Sequence, residues 1–260
     1  MHTKSAVTTG SEEEFAMESY RERKQSVYRS YARSYDADRR LMLGDHALSA
    51  RLTFVADALS GVSTVLDLGC GTGDLLQMLG TLLGDEAWCV GVDLSPDMLA
   101  VARRKLEDCP RTFVVQSDVT QPLPFADETF DVIASLNLLQ EVSAPTVVLD
   151  EVHRLLKLGG SFRGVAACYA GDNAAEMVHQ AIARRHTWYF LPADELLAEF
   201  HRVFPTGTGY FEPFPRVART QAAGSPTFTL FAEMMQTVQE LGHNPEDVRM
   251  GALFLEGKKG

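Results

Sequence analysis

From residue 61 onward, short apolar runs alternate with longer stretches whose apolar positions recur every three or four residues. "TVLDLG" reads as a buried strand and "DLLQMLGTLL" as a helix. "AWCVGVDL" is the next strand and "SPDMLAVARRKLE" the next helix. "RTFVVQSDV" and "FDVIASLNL" follow as strands, then the helix "APTVVLDEVHRLLK" and the strand "GGSFRGVAAC". Ahead of this series, residues 17–60 keep the helical period. The first helical stretch carries Tyr20, Tyr28, Tyr31 and Tyr35; the second runs from His46 to Leu59, and Gly61 stops it.

Strands alternating with helices of this length predict an α/β fold: a Rossmann-like, doubly wound sheet with helices on both faces. The alternation makes it mostly parallel, and right-handed crossovers then fix the neighbours. The rhythm breaks after residue 168. "AAEMVHQAIARRHTWYF" and "SPTFTLFAEMMQTVQELG" read as helices, separated by the Pro/Gly/aromatic segment "FPTGTGYFEPFPRVARTQAAGSP". "ALFLEGKK" closes the chain as a short strand, expected to be antiparallel. The implied organisation is a disordered lead-in over 1–16, an N-terminal helical lid over 17–60 and a cofactor-binding core over 61–168. A mainly helical cap, with part of the sheet, occupies 169–250, and the final strand and C-terminus take 251–260.

The formal net charge of −11 and pI near 5.1 weigh against nucleic acid or an acidic membrane surface as partner. No apolar run reaches membrane-spanning length, and "MHTKSAVTTGSEEEF" lacks the apolar centre of a secretory signal. Cys70, Cys89, Cys109 and Cys168 are scattered without C-x-x-C spacing, which points to reduced thiols in the cytoplasm and to no metal site. The expected state is a monomer or homodimer acting on a small molecule.

The chemistry gathers at "VLDLGCGTGDLL", where a strand turns into a helix through three glycines in five positions. Glycine there lets a ligand approach the backbone, and the carboxyl ends of parallel strands are where such sheets bind ligands. A dinucleotide loop needs G-x-G-x-x-G; counted from Gly69, its third glycine is replaced by Asp74. Asp67 just before the loop would repel a phosphate and attract an ammonium group. The loop therefore suits a cationic or zwitterionic nucleoside. Asp93, ending the second strand, can accept both hydroxyls of a ribose. Asp118-Val119, ending the third, can meet an adenine edge through a carboxylate and a backbone N–H.

This series, continued by "LPFADETFDVIASLNLLQEV" and "LKLGG", resembles the class I S-adenosylmethionine-dependent methyltransferases over residues 61–168. The likeness is to their small-molecule branch, which holds ubiquinone/menaquinone and natural-product methyltransferases. The resemblance implies S-adenosyl-L-methionine as cofactor. By it, Asp67 and Gly69 face the methionine end, Cys70, Gly71 and Gly73 line the loop, and Asp93 takes the ribose. Leu94 and Met98 lie against the adenine, Asp118 and Val119 hold its edge, and Leu136 and Asn137 border the sulfonium. Tyr35, and less firmly Tyr31, would fold over the cofactor. Many relatives carry paired His, or His-Trp, after the fourth strand; here stand Gln140 and Glu141.

The implied activity is O-, N- or C-methylation of a small acceptor in secondary metabolism or quinone-type biosynthesis. The alternatives are a relative that catalyses a rearrangement or cyclisation, and a non-catalytic binding module. No catalytic residue is assigned; Tyr35, Glu141, His179 and His186 are the candidates. Tyr31, Asn137, Gln140, Trp188 and Tyr189 are candidates for the acceptor side. The aromatic and methionine residues of the cap, among them Phe190, Phe211, Phe214, Phe228, Phe231, Met234 and Met235, are expected to shape the pocket.

Overall fold

The computed structural model describes residues 21–170, 177, 189–214 and 226–260. His179, His186, Trp188 and the lead-in lie outside those residues, as do the side chains of Phe228, Phe231 and Met234. The strands are β1 (Thr64–Leu68), β2 (Trp88–Asp93), β3 (Thr112–Gln116), β4 (Phe130–Leu136), β5 (Leu156–Ala170), β6 (Thr208–Pro213) and β7 (Arg249–Lys258). The helices are α1 (21–31), α2 (Tyr35–Ala56), α3 (Asp74–Leu83), α4 (Pro96–Lys105), α5 (Pro145–Leu155), α6 (Ala193–Val203) and α7 (Pro226–Glu240).

The strands form one sheet of order β3-β2-β1-β4-β5-β7-β6. β1 to β5 pair in parallel, and β7 lies antiparallel between β5 and β6. The chain winds outward from β1 to β3, then returns to place β4 on the other side of β1. That reversal is the crevice where such sheets bind ligands. The central strands are buried on both faces, so they read as unbroken apolar runs instead of alternating ones. Leu66, Leu68, Ile133 and Phe162 point into a layer shared with Leu149 of α5 and Phe200 of α6. Val65, Val132 and Val165 face the opposite layer, with Leu75, Leu76 and Leu79 of α3 and Leu99 of α4. Phe162, Phe200 and Phe204 are fully buried; the Phe162 and Phe204 rings stack at 5.9 Å.

The sheet extends further than the apolar pattern suggests. β6 and the end of α6 fall in or beside the Pro/Gly/aromatic stretch, where Gly207 and Gly209 mask the strand signal. Both glycines are needed for close packing: a Cβ on Gly207 would stand 2.5 Å from the Phe200 ring, and one on Gly209 2.7 Å from Leu197. "LKLGG" belongs to a register shift at the start of β5, between the pairs Phe130 with Leu156 and Val132 with Ser161. α2 breaks at Gly44, whose φ of 73° is outside the helical range, so the two stretches before and after it run in different directions. Among the described residues, no helix is long and apolar enough to cross a membrane, and no cluster of three or more His, Cys, Asp or Glu could hold a metal.

Candidate cofactor and acceptor site

The cleft forms where four parallel strands end. The loop after β1 is tied down by Gly69 and Cys70, whose N–H groups donate to the Val92 carbonyl at 2.8 and 3.0 Å. Gly71 (φ 53°) and Gly73 (φ 84°) take the left-handed conformation that opens α3. A Cβ on Gly71 would point into the cleft between Met98 and Tyr35, so the bare backbone leaves room for a ligand. Cys70 turns the other way. It is buried against Gly91, where an added Cβ would come within 2.8 Å of its sulfur and 2.4 Å of Leu76. Burial pushes the Cys70 thiol well above the usual range, so it is packing, not a nucleophile.

Asp93 closes β2 and lines the cleft. Its carboxylate accepts the Gly71 N–H at 2.9 Å and the Ser95 N–H at 2.8 Å. Both bonds favour the charged form, but burial outweighs them and raises its pKa. A carboxylate has about four acceptor positions, so two remain for hydroxyl donors. α4 begins beside it with Ser95 as N-cap, accepting from Met98 N–H, and Pro96 in the first turn. Met98 is thereby set against the cleft. Asp118 accepts from Thr120 through both its N–H and hydroxyl.

Asp67 lies behind the loop, 2 % exposed and outside the cleft lining. Burial, reinforced by Asp93 and Asp74 and opposed by Arg39, pushes its carboxyl up to about 7. Asp74 is not left as a free negative charge at the helix start. It pairs with Lys105, which also holds Asp36 at 2.8 Å. The Thr72 hydroxyl donates to the same Asp36 at 2.5 Å. These contacts fasten the start of α2 over the glycine loop and place Tyr35 in the cleft. Tyr28 and Tyr31 meet the Tyr35 ring edge-on at 6.4 and 5.3 Å.

Of the residues expected from sequence, Tyr35, Gly69, Gly71, Asp93, Leu94, Met98, Asp118, Val119, Leu136, Asn137 and Glu141 line one cleft of ≈ 750 Å³, part of it open solvent. Asp67, Cys70, Gly73, Tyr31, Gln140 and Tyr189 stand outside its lining. Gln140 is 6 % exposed and its amide serves the backbone, donating to Asn137 O and accepting from Ala167 N–H. Tyr189 donates its own N–H to the Gln140 carbonyl at 2.8 Å.

Sequence reasoning missed one face of α1. Arg21 donates to Asp118 at 2.5 Å, Lys24 pairs with Glu141, Gln25 donates to the Leu94 carbonyl at 3.3 Å, and Tyr28 lines the cleft. Positions 21, 24, 25 and 28 share a helical face. The signal lay in that spacing of polar residues, read alongside the tyrosines. The cleft walls carry Asp93, Asp118 and Glu141, so basic donors are what a covering helix needs.

Residues 65–160 match the family model of the methyltransferase domain. The Vibrio campbellii ubiquinone/menaquinone biosynthesis C-methyltransferase UbiE is 36% identical over 138 residues, 52% of this chain and 53% of its own length. The Teredinibacter turnerae UbiE is 36% identical over 143 residues, 54% of this chain and 57% of its own. The chain thus spans about half the length of the curated relatives it matches. Among solved structures, the Haemonchus contortus phosphoethanolamine N-methyltransferase 2 in complex with S-adenosyl-L-methionine superposes with a TM-score of 0.69 at 17% identity. That match covers 98% of this chain and 60% of the other. The [4+2]-cyclase SpnF superposes with a TM-score of 0.61 at 20% identity, covering 82% of each chain. These likenesses establish the fold.

Proposed function

We propose, from the match of residues 65–160 to the methyltransferase-domain family model, that the protein binds S-adenosylmethionine and methylates a small-molecule acceptor. The observation that carries this is one cleft joining the glycine loop, Asp93 and the Asp118-Val119 pair at the carboxyl ends of β1, β2 and β3. The residues fit the cofactor. Asp93 keeps acceptor positions for a ribose diol, and the missing Cβ of Gly71 leaves the space it would take. Behind the glycine loop, outside the cleft lining, lies a group of both signs: buried Asp67, and Arg39, whose Nε is buried without a hydrogen-bond partner. Such a pair suits an amino acid's ammonium and carboxylate. The reading carries with it a cytoplasmic enzyme, monomeric or homodimeric, with α1 as a lid. UbiE's name points to a quinol-type ring as one acceptor to try.

S-adenosylmethionine, when bound, supplies a methyl group activated on a sulfonium. The chain's part is positional: aligning the acceptor behind that methyl is worth several kcal/mol, with about 7–11 as a ceiling. Leu136 and Asn137 border the reacting end, and Tyr28 and Tyr35 cover it from the α1–α2 side, excluding water. Calorimetry with S-adenosylhomocysteine, followed by S-adenosylmethionine consumption with a panel of quinols, phenols and amines, tests the reading. Asp93→Ala should weaken S-adenosylhomocysteine binding ten- to a hundred-fold, the effect of losing about 1.5–3 kcal/mol of charged hydrogen bonding. Unchanged affinity in the folded variant refutes the ribose assignment. Acceptor conversion without cofactor consumption would instead favour a cyclisation of the kind SpnF is named for.

A further inference from the structure

Resting on the methyltransferase reading, we propose that Glu141, held by Lys24 at the cleft wall, is the proton acceptor for the methyl acceptor, and that the acceptor is a phenol or enol, not an amine. The turn after β4 puts Glu141 there. Asn137 adopts φ 63° and donates its N–H to Val165 O at 2.7 Å, in a turn that places Leu138, Glu141 and Val142 on the cleft wall. The Glu141 N–H donates to Leu138 O at 2.7 Å, fixing the turn.

The side chain then faces the cleft at 13 % exposure and meets the Lys24 ammonium, itself 8 % exposed. Tyr28 lines the same cleft, and burial, with this carboxylate adding to it, raises its phenol above the ordinary range. A desolvated ion pair contributes little net stability, so its position in a ligand cleft asks for another explanation. Burial holds both the Tyr28 and Tyr35 phenols above their ordinary range, leaving them neutral donors. The Glu141 carboxylate is then the group at this end that can receive a proton. The charged and titratable groups facing it are Lys24, Tyr28, Tyr35 and Asp93.

Lys24 decides the acceptor class. An amine arriving as ammonium would meet a carboxylate whose counter-charge is already seated. A neutral O–H group meets an accepting oxygen, and the negative charge it develops lies beside the Lys24 ammonium. In the step, the O–H proton passes to Glu141. The electron pair freed on oxygen, or on a conjugated ring carbon, forms the bond to the methyl group. The carbon–sulfur bond breaks with its pair remaining on sulfur, giving neutral S-adenosylhomocysteine. After oxygen attack Glu141 releases the proton to solvent; after carbon attack it returns the proton to the oxygen and the ring C–H proton is released.

The test uses 1-naphthol and 1-naphthylmethylamine as probes on the full chain saturated with S-adenosylhomocysteine. Calorimetry should find naphthol binding and no measurable amine binding. Glu141→Gln should weaken naphthol at least tenfold and S-adenosylhomocysteine by a clearly smaller factor, with an unchanged far-UV circular dichroism spectrum showing that the variant is folded. With S-adenosylmethionine, naphthol should be methylated, and Glu141→Gln should lower kcat by about a hundredfold or more. Glu141→Asp, which keeps the carboxylate, should recover part of that kcat. Amine binding or turnover above that of naphthol, naphthol binding indifferent to Glu141→Gln, or no naphthol binding at all would overturn the proposal. Failure of the wild-type chain to bind S-adenosylhomocysteine would overturn the methyltransferase reading itself.

Discussion

A single buried carboxyl, Asp67, sets a pH dependence that the cofactor reading makes specific. Its folded value of about 7 stands above the ordinary aspartate value near 4, mainly through burial. A raised carboxyl favours the neutral form in the fold. Its contribution to stability is therefore full below about pH 4, falls as the pH rises toward 7, and is flat above that. A ligand ammonium beside Asp67 favours the ionised form instead. Binding below pH 7 must then expel a proton, so S-adenosylhomocysteine affinity should climb between about pH 5 and 7, by at most tenfold per unit, and level off above. Asp93, also raised by burial, adds to the same trend. Asp67→Asn should remove most of the slope and leave only the Asp93 part. Calorimetry across that range checks this; an unchanged slope in Asp67→Asn would place the ammonium elsewhere.

At the scale of elements, α1 is joined to the core by polar contacts at the cleft mouth, chiefly Arg21 to Asp118 and Lys24 to Glu141. The Arg21 side chain is 37 % exposed, so its pair is screened by solvent and worth little in isolation. What holds the helix in place is then a sum of weak contacts, which a bound ligand can strengthen. Hydrogen exchange should slow over residues 21–31 when S-adenosylhomocysteine binds, and 0.5 M salt should partly reverse it. Equal exchange with and without ligand would leave α1 a packing element. The sequence was legible where local chemistry decides the outcome. Gly71 announces a loop, and Asp93 followed by Ser95-Pro96 announces a strand end and a helix start within a few residues. It was less legible where distant partners decide. Asp74 looks like a phosphate-repelling charge until Lys105 is found across it. Gln140 looks like a cleft residue until the Asn137 carbonyl and Ala167 N–H take both ends of its amide. β6 is hidden because its glycines answer to the Phe200 ring and Leu197 of α6, which no local period can reveal.

For the whole molecule, the cleft joins elements that are far apart in the chain. Its walls come from α1, α2, the ends of β1 and β4, and the loops after β2 and β3. The two apolar layers run beneath them on opposite faces of the same sheet, so strand ends that grip a ligand share their packing with both layers. A ligand bridging those parts stabilises the folded state as a unit and does not merely stiffen one loop. At a free concentration a hundred times its dissociation constant, S-adenosylhomocysteine should add about 2.7 kcal/mol to unfolding. For a chain of this size that raises Tm by roughly 5–10 °C. NAD should leave Tm unchanged, because the loop lacks the third glycine that a dinucleotide loop needs for close approach. Calorimetric melting distinguishes the cases. A shift with NAD equal to or larger than that with S-adenosylhomocysteine would mean that the loop takes a pyrophosphate after all. A shift with S-adenosylhomocysteine that survives undiminished in Asp93→Ala would mean that binding stabilises the sheet from some place other than the end of β2.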